Sequence, residues 1–147
     1  MKRFVLILVL ALMMVGTAVA CGGSQPATTD TQPALSAELS EVLDLADTVN
    51  VQTVATIKER EDVIVLDVRE QWEYDEGHIP GVTLIPMAEV ANRLSEIPTD
   101  KEVIVTCRSG NRSGQVTDFL RQQGFDNVHN MEGGIIAWEA AGYAVEQ

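Results

Sequence analysis

Two runs with a continuous β-branched and apolar centre constrain this chain most: Val63-Ile64-Val65-Leu66-Asp67-Val68 and Glu102-Val103-Ile104-Val105-Thr106-Cys107. Neither alternates apolar with polar residues, so neither suits a strand with one face in water. A short continuous run rich in Val and Ile belongs to a strand covered on both faces. Weaker strands are expected at Val49–Val51, Thr83–Ile85 and Asn127–His129. Helical spacing separates them: Thr53–Arg60, Met87–Ile97 with Val90, Leu94 and Ile97 on one face, and Ser113–Gln123 with Val116, Phe119 and Leu120 inward. A last helix is expected at Ile135–Ala141, opened by Gly133-Gly134. Strands that alternate with helices imply an α/β fold, a central parallel sheet with helices on both faces.

The chain's 147 residues, 46% of them hydrophobic, suffice for one domain with appendages and exclude disorder throughout. Ten Lys and Arg stand against 22 Asp and Glu, and aromatics make up 5%. So acidic a chain, with so few rings to stack on bases, is not expected to bind nucleic acid.

Residues 1–20 read as a signal peptide: Lys2 and Arg3, an apolar run from Phe4 to Val15, then Ala18-Val19-Ala20. The run is too short for a spanning helix, the competing interpretation. Ala18-Val19-Ala20-Cys21 resembles a bacterial lipoprotein signal, with Ala18 where Leu is usual. Cys21 is then the lipid-bearing first residue, although the same residues also suit ordinary signal cleavage. Residues 21–34, rich in Gly, Ser, Thr and Pro, form a flexible tether. Residues 35–47 are an entry helix or linker, with helical spacing over Ala37–Leu45, and 48–147 are the α/β domain. The expected location is outside the cytoplasm, anchored to a membrane through lipid on Cys21. Removing Lys2 and Arg3 from the ten cations leaves eight against the same 22 acids, a net charge of −14.

With Cys21 lipidated, Cys107 is the sole remaining thiol, and an exported domain with one thiol has no internal disulfide. Cys107 ends a buried strand, at the sheet edge where open α/β folds carry their sites. Arg108-Ser109-Gly110-Asn111-Arg112 follow, and then a helix. Backbone N–H groups in such a loop curl toward the sulfur, and the helix N-terminus adds positive potential. Two guanidinium groups beside the thiol favour the thiolate and form a cationic mouth on an acidic domain. A buried structural cysteine would need none of this, so Cys107 is read as a nucleophile.

Four segments, in order, resemble a single-domain rhodanese, a thiosulfate or persulfide sulfurtransferase. They are Asp67-Val68-Arg69-Glu70, Gly77-His78-Ile79-Pro80-Gly81-Val82, Cys107-Arg108-Ser109-Gly110-Asn111-Arg112-Ser113 and Gly133-Gly134-Ile135-Ile136-Ala137-Trp138. The resemblance covers nearly the whole domain and departs at Ala144, where Pro is frequent. It implies a rhodanese-like fold and a Cys107 persulfide formed from a thiosulfate-like anion. Sulfur would pass on to a thiophilic acceptor, such as a small thiol or a thioredoxin-like protein. Arg108, Ser109, Gly110, Asn111 and Arg112 would bind the donor, with Asp67, Arg69 and Ser113 supporting the loop. Tyrosine-phosphatase-like enzymes share the strand–loop–helix plan but space Cys and Arg one residue further apart.

Asp67 and Arg69 read first as an ion pair that holds loops in place. His78 and Trp138 read as structural, Gly133-Gly134 as a tight turn, and Glu70, Glu73, Asp75 and Glu76 as a solvated loop. The His and Cys spacing supports no metal site, and no cofactor is implied. The competing class is a non-catalytic rhodanese-fold module that presents sulfur to, or scaffolds, a membrane-surface partner.

Overall fold

In the computed structural model, residues 43–147 are described. The signal peptide, Cys21 and the tether lie outside them. Five parallel strands form one sheet in the order β1-β5-β4-β2-β3: β1 Thr48–Val49, β2 Val63–Asp67, β3 Thr83–Leu84, β4 Glu102–Thr106 and β5 Val128–Met131. The two apolar runs become β2 and β4, paired over their full length from Val63 opposite Glu102 to Asp67 opposite Thr106. β4 is the middle strand of the five. The helices are α1 Val51–Ile57, α2 Gln71–Glu76, α3 Asn111–Gln122 and α4 Gly134–Ala140.

The alternation of side chains along each strand divides the core in two. On one face Val63, Val65 and Ile104 pack with Val54 of α1 and with Ile135 and Trp138 of α4. On the other, Leu66, Val68, Val103, Val105 and Cys107 pack with Val116 and Leu120 of α3. Cys107 therefore continues the face of Val103 and Val105 and is carried under the start of α3.

The helix expected at Met87–Ile97 is instead two 3₁₀ turns, Val90–Asn92 and Leu94–Glu96. Their backbone bonds span three residues, from Asn92 N–H to Glu89 C=O through Ile97 N–H to Leu94 C=O. A 3₁₀ turn rises further per residue than an α-turn. Two of them carry both Val90 and Ile97 into the core, with Arg93 as the break between.

The segment expected as an entry helix or linker carries no helix where it is described. Leu43–Ala46 carry no helix, and exposure alternates along them. Leu43 and Leu45 pack against the core while the Ala46 carbonyl bonds His129 Nδ1, contacts two residues apart that an extended chain makes and a helix does not. The earlier part of that helix lies outside the described residues.

Among the described residues, no helix is long and apolar enough to cross a membrane.

Candidate functional site

α3 begins at Asn111, earlier than the sequence suggests, so Asn111, Arg112 and Ser113 form its first turn. The loop proper is Arg108-Ser109-Gly110, with Gly110 at φ 92° as N-cap. Only glycine takes that conformation without strain. A side chain there would also lie 3.1 Å from the Gly133 nitrogen, so the loop rests on the turn before α4.

Cys107 is 1% exposed, and its sulfur is the focus of the loop. Gly110 N–H donates to Sγ at 3.2 Å, and Ser113 Oγ lies 3.4 Å from it. Burial is the largest single influence on the thiol and pushes its pKa up. Hydrogen bonds from the Ser113 hydroxyl and from the backbone of Ser113, Ser109 and Gly110 act the other way, and the net result lies below the ordinary value. The leading lowering influences are thus hydrogen bonds to the sulfur, from backbone N–H groups of the kind the sequence suggests and from the Ser113 hydroxyl, ahead of the two guanidinium groups it also suggests.

Peptide geometry explains how the N–H groups come to face the sulfur. Ile135 N–H donates to the Cys107 carbonyl at 2.9 Å and Ile136 N–H to the Arg108 carbonyl at 3.2 Å. In a trans peptide the C=O and the following N–H point opposite ways. Tying the Arg108 carbonyl to α4 therefore turns the Ser109 N–H toward the cradle. The Gly133-Gly134 turn is the back wall of the loop, a role its reading as a simple turn missed.

The two arginines differ. Arg112 makes a two-pronged ion pair with Glu73 of α2, at 2.6 and 2.7 Å. Arg108 is exposed and, among the described residues, its side chain makes no ion pair or hydrogen bond. Glu73 is buried rather than part of a solvated loop, which corrects the sequence reading. It caps α2 by accepting from Glu70 N–H and ties that helix to the loop. Nothing in a run of acidic residues marks one whose partner is 39 positions away.

The hydrogen bond from Arg112 holds the Glu73 carboxyl down at about 2, against an ordinary 4.5. A depressed carboxyl stabilises the fold above its unfolded pKa, and that stability is lost as pH falls through the folded pKa. Thermal unfolding of Glu73→Gln should therefore depend less on pH than the wild type between about pH 4.5 and 2. Equal slopes would mean that the pair is not linked to folding.

Asp67 and Arg69 are both buried and pair at 2.7 Å. Arg69 also donates to the carbonyls of Glu73, within α2, and Gly77, just past its end, which ties the helix to the end of β2. His78 stacks on Tyr74 and bonds its carbonyl, and Trp138 donates to the Ala144 carbonyl from the core. Among the described residues, no cluster of His, Cys, Asp or Glu is arranged to hold a metal ion.

Beside the loop, between α2 and α4, lies a cavity of about 440 Å³ lined by Arg69, Glu73, Arg108 and Ile135, with Trp72 and Ile136 at its edge. Trp72 and Ile136 are exposed by 62% and 49%, unusual for large apolar side chains on so acidic a domain. Sequence periodicity gave no sign of either.

Residues 50–141 match the family model described as a rhodanese-like domain. A sulfurtransferase of Allochromatium vinosum is 43% identical over 89 residues, which cover 60% of this chain and 83% of the relative. A thiosulfate sulfurtransferase of Pseudoalteromonas translucida is 34% identical over 93 residues, 63% of this chain and 89% of that one. The crystal structure of a rhodanese-related protein from Thermoplasma volcanium superposes with a TM-score of 0.62 at 34% identity, covering 69% of this chain and 98% of the other.

Proposed function

The chain belongs to the family of rhodanese-like domains, and from that premise we propose that it is an exported sulfurtransferase working through a Cys107 persulfide. The observation that carries the reading is the set of donors converging on a buried sulfur whose pKa is lowered despite burial. Such an arrangement serves a nucleophile and would be idle around a structural thiol.

In the first step the Cys107 thiolate attacks the outer sulfur of thiosulfate. An S–S bond forms to Cys107, the donor's own S–S bond breaks, and sulfite leaves with its electron pair. The terminal persulfide sulfur carries the negative charge, and the loop N–H groups stabilise it as they do the thiolate. A thiophilic acceptor, cyanide in the assay, then takes that sulfur and restores the thiolate. No general base is needed when the thiol is already ionised. Two covalent half-reactions of this kind give ping-pong kinetics.

Arg108, exposed beside the cavity, binds the sulfonate end of the donor, while Arg112 is kept in place by Glu73. Ser109, Gly110 and Asn111 complete the donor site, and Arg69, Asp67 and Ser113 support it. A small thiol or a thioredoxin-like protein is the natural acceptor. A lipid on Cys21 holds the domain at an extracytoplasmic membrane surface.

Steady-state kinetics with thiosulfate and cyanide test this reading. Parallel double-reciprocal lines are expected for the wild type, with no thiocyanate from Cys107→Ser. Arg108→Ala should raise the KM for thiosulfate about tenfold, the worth of one charge-assisted contact, with kcat little changed. A folded wild type that produces no thiocyanate would favour the non-catalytic module.

A further inference from the structure

The Ser113 hydroxyl has one proton and two neighbours that would accept it. It lies 2.6 Å from Asn130 Oδ1 and 3.4 Å from Cys107 Sγ. Donated to Asn130, the proton is turned away from the sulfur. Donated to the sulfur, it leaves Ser113 Oγ facing another oxygen at 2.6 Å with no hydrogen between them, which is repulsive.

Reversing the Asn130 amide removes the conflict. The exchange of Oδ1 and Nδ2 leaves the heavy-atom positions in place and turns an acceptor into a donor. Asn130 Nδ2–H then donates to Ser113 Oγ, and the serine proton is free for the sulfur. We propose that Asn130 is a positioning residue, whose amide directs the Ser113 proton to the sulfur when that sulfur carries charge, as thiolate or persulfide. The site thereby answers a change of charge by rotating one amide and one hydroxyl, with no backbone movement.

The fold places Asn130 for this. It lies on β5, the strand beside β4, opposite Val105. Val128, two residues earlier, belongs to the α3 side of the core, so Asn130 faces the start of α3. A Cβ on Gly114 would meet the Asn130 amide nitrogen at an ordinary contact distance of 3.5 Å, so the amide lies over the first turn of α3. The charged groups around the loop are Arg108 and Arg112 from the loop and α3, Glu73 from α2 through Arg112, and the Asp67–Arg69 pair at the end of β2. None of them bonds Asn130 or Ser113.

The proposal rests on Cys107 being the reacting thiol, but its test needs no sulfur transfer. In the full chain carrying Cys21→Ser, Cys107 is the only thiol, and its alkylation by iodoacetamide is followed against pH. Ser113→Ala should move the midpoint to higher pH and lower the rate at neutral pH by roughly fivefold, the worth of one hydrogen bond. Asn130→Asp, which only accepts when ionised and so holds the serine proton, should move it up by at least as much. Asn130→Ala removes the competing acceptor together with the donor and should move it less. In the Ser113→Ala background Asn130→Asp should add little, because Asn130 acts through Ser113. Circular dichroism establishes that each variant is folded. A midpoint in folded Asn130→Asp equal to the wild type's, or an undiminished shift from Asn130→Asp in Ser113→Ala, would overturn the proposal. If Asn130→Asp does not fold, Ser113→Ala decides: an unchanged midpoint overturns it.

Discussion

Gly134→Ala is expected to fold and to lose roughly 100-fold in kcat/KM for sulfur transfer, the loss that an ångström of misplacement causes at a reacting centre. Gly134 sits at φ +56°, and a Cβ there would lie 2.3 Å from the Cys107 carbonyl oxygen and 2.7 Å from that of Arg108. Both neighbours are backbone, so the overlap is relieved only by moving the loop away from α4. That movement breaks the bonds from Ile135 and Ile136 which turn the loop N–H groups inward. The thiolate loses its donors and the persulfide loses its cradle together. Gly124→Ala is the control: it also has positive φ, at +93°, but nothing lies within 4 Å of a Cβ there. It should cost about 1 kcal/mol in stability through backbone strain and leave activity intact. If both variants keep full activity, the wall formed by α4 does not shape the cradle.

Arg69→Ala should destabilise the protein by about 3–5 kcal/mol, a large part of an ordinary domain's stability. Asp67 is 1% exposed, and Arg69 is its charged partner. Removing the guanidinium leaves the buried Asp67 carboxylate without its ion-pair partner. It also takes the donors from the Glu73 and Gly77 carbonyls, which frees the α2 segment. Arg69→Lys should not restore the loss, since one ammonium cannot serve three acceptors in the fixed planar pattern of a guanidinium. Denaturant unfolding of the full chain measures both. A change below about 1 kcal/mol would place the pair among the interactions of little net worth.

What the sequence disclosed follows from how locally each feature is encoded. β2 and β4 were legible because a strand buried on both faces must be apolar throughout. The cysteine loop was legible because strand, thiol, small residues and helix start lie within a dozen consecutive positions. The segment before Pro98 was not, because Val90, Leu94 and Ile97 satisfy helical spacing equally well on two 3₁₀ turns, and only the reach to the core selects between them. Glu73 and Asn130 were missed because their roles are tertiary. One looks like any exposed acid and the other like any polar strand residue, until α2 and β5 bring them to Arg112 and Ser113. The same reason hid the work of Gly134, whose contacts are with backbone far away in sequence.

The proposed mechanism requires that Cys107 itself carry the transferred sulfur. Its most direct test is the intact mass of the full chain after incubation with thiosulfate and removal of excess reagent. The wild type should gain the mass of one sulfur atom and lose it on addition of cyanide, with an equal amount of thiocyanate released. Cys107→Ser should gain nothing. A folded wild type that takes up no sulfur, or a Cys107→Ser protein that takes up as much, would contradict the claim.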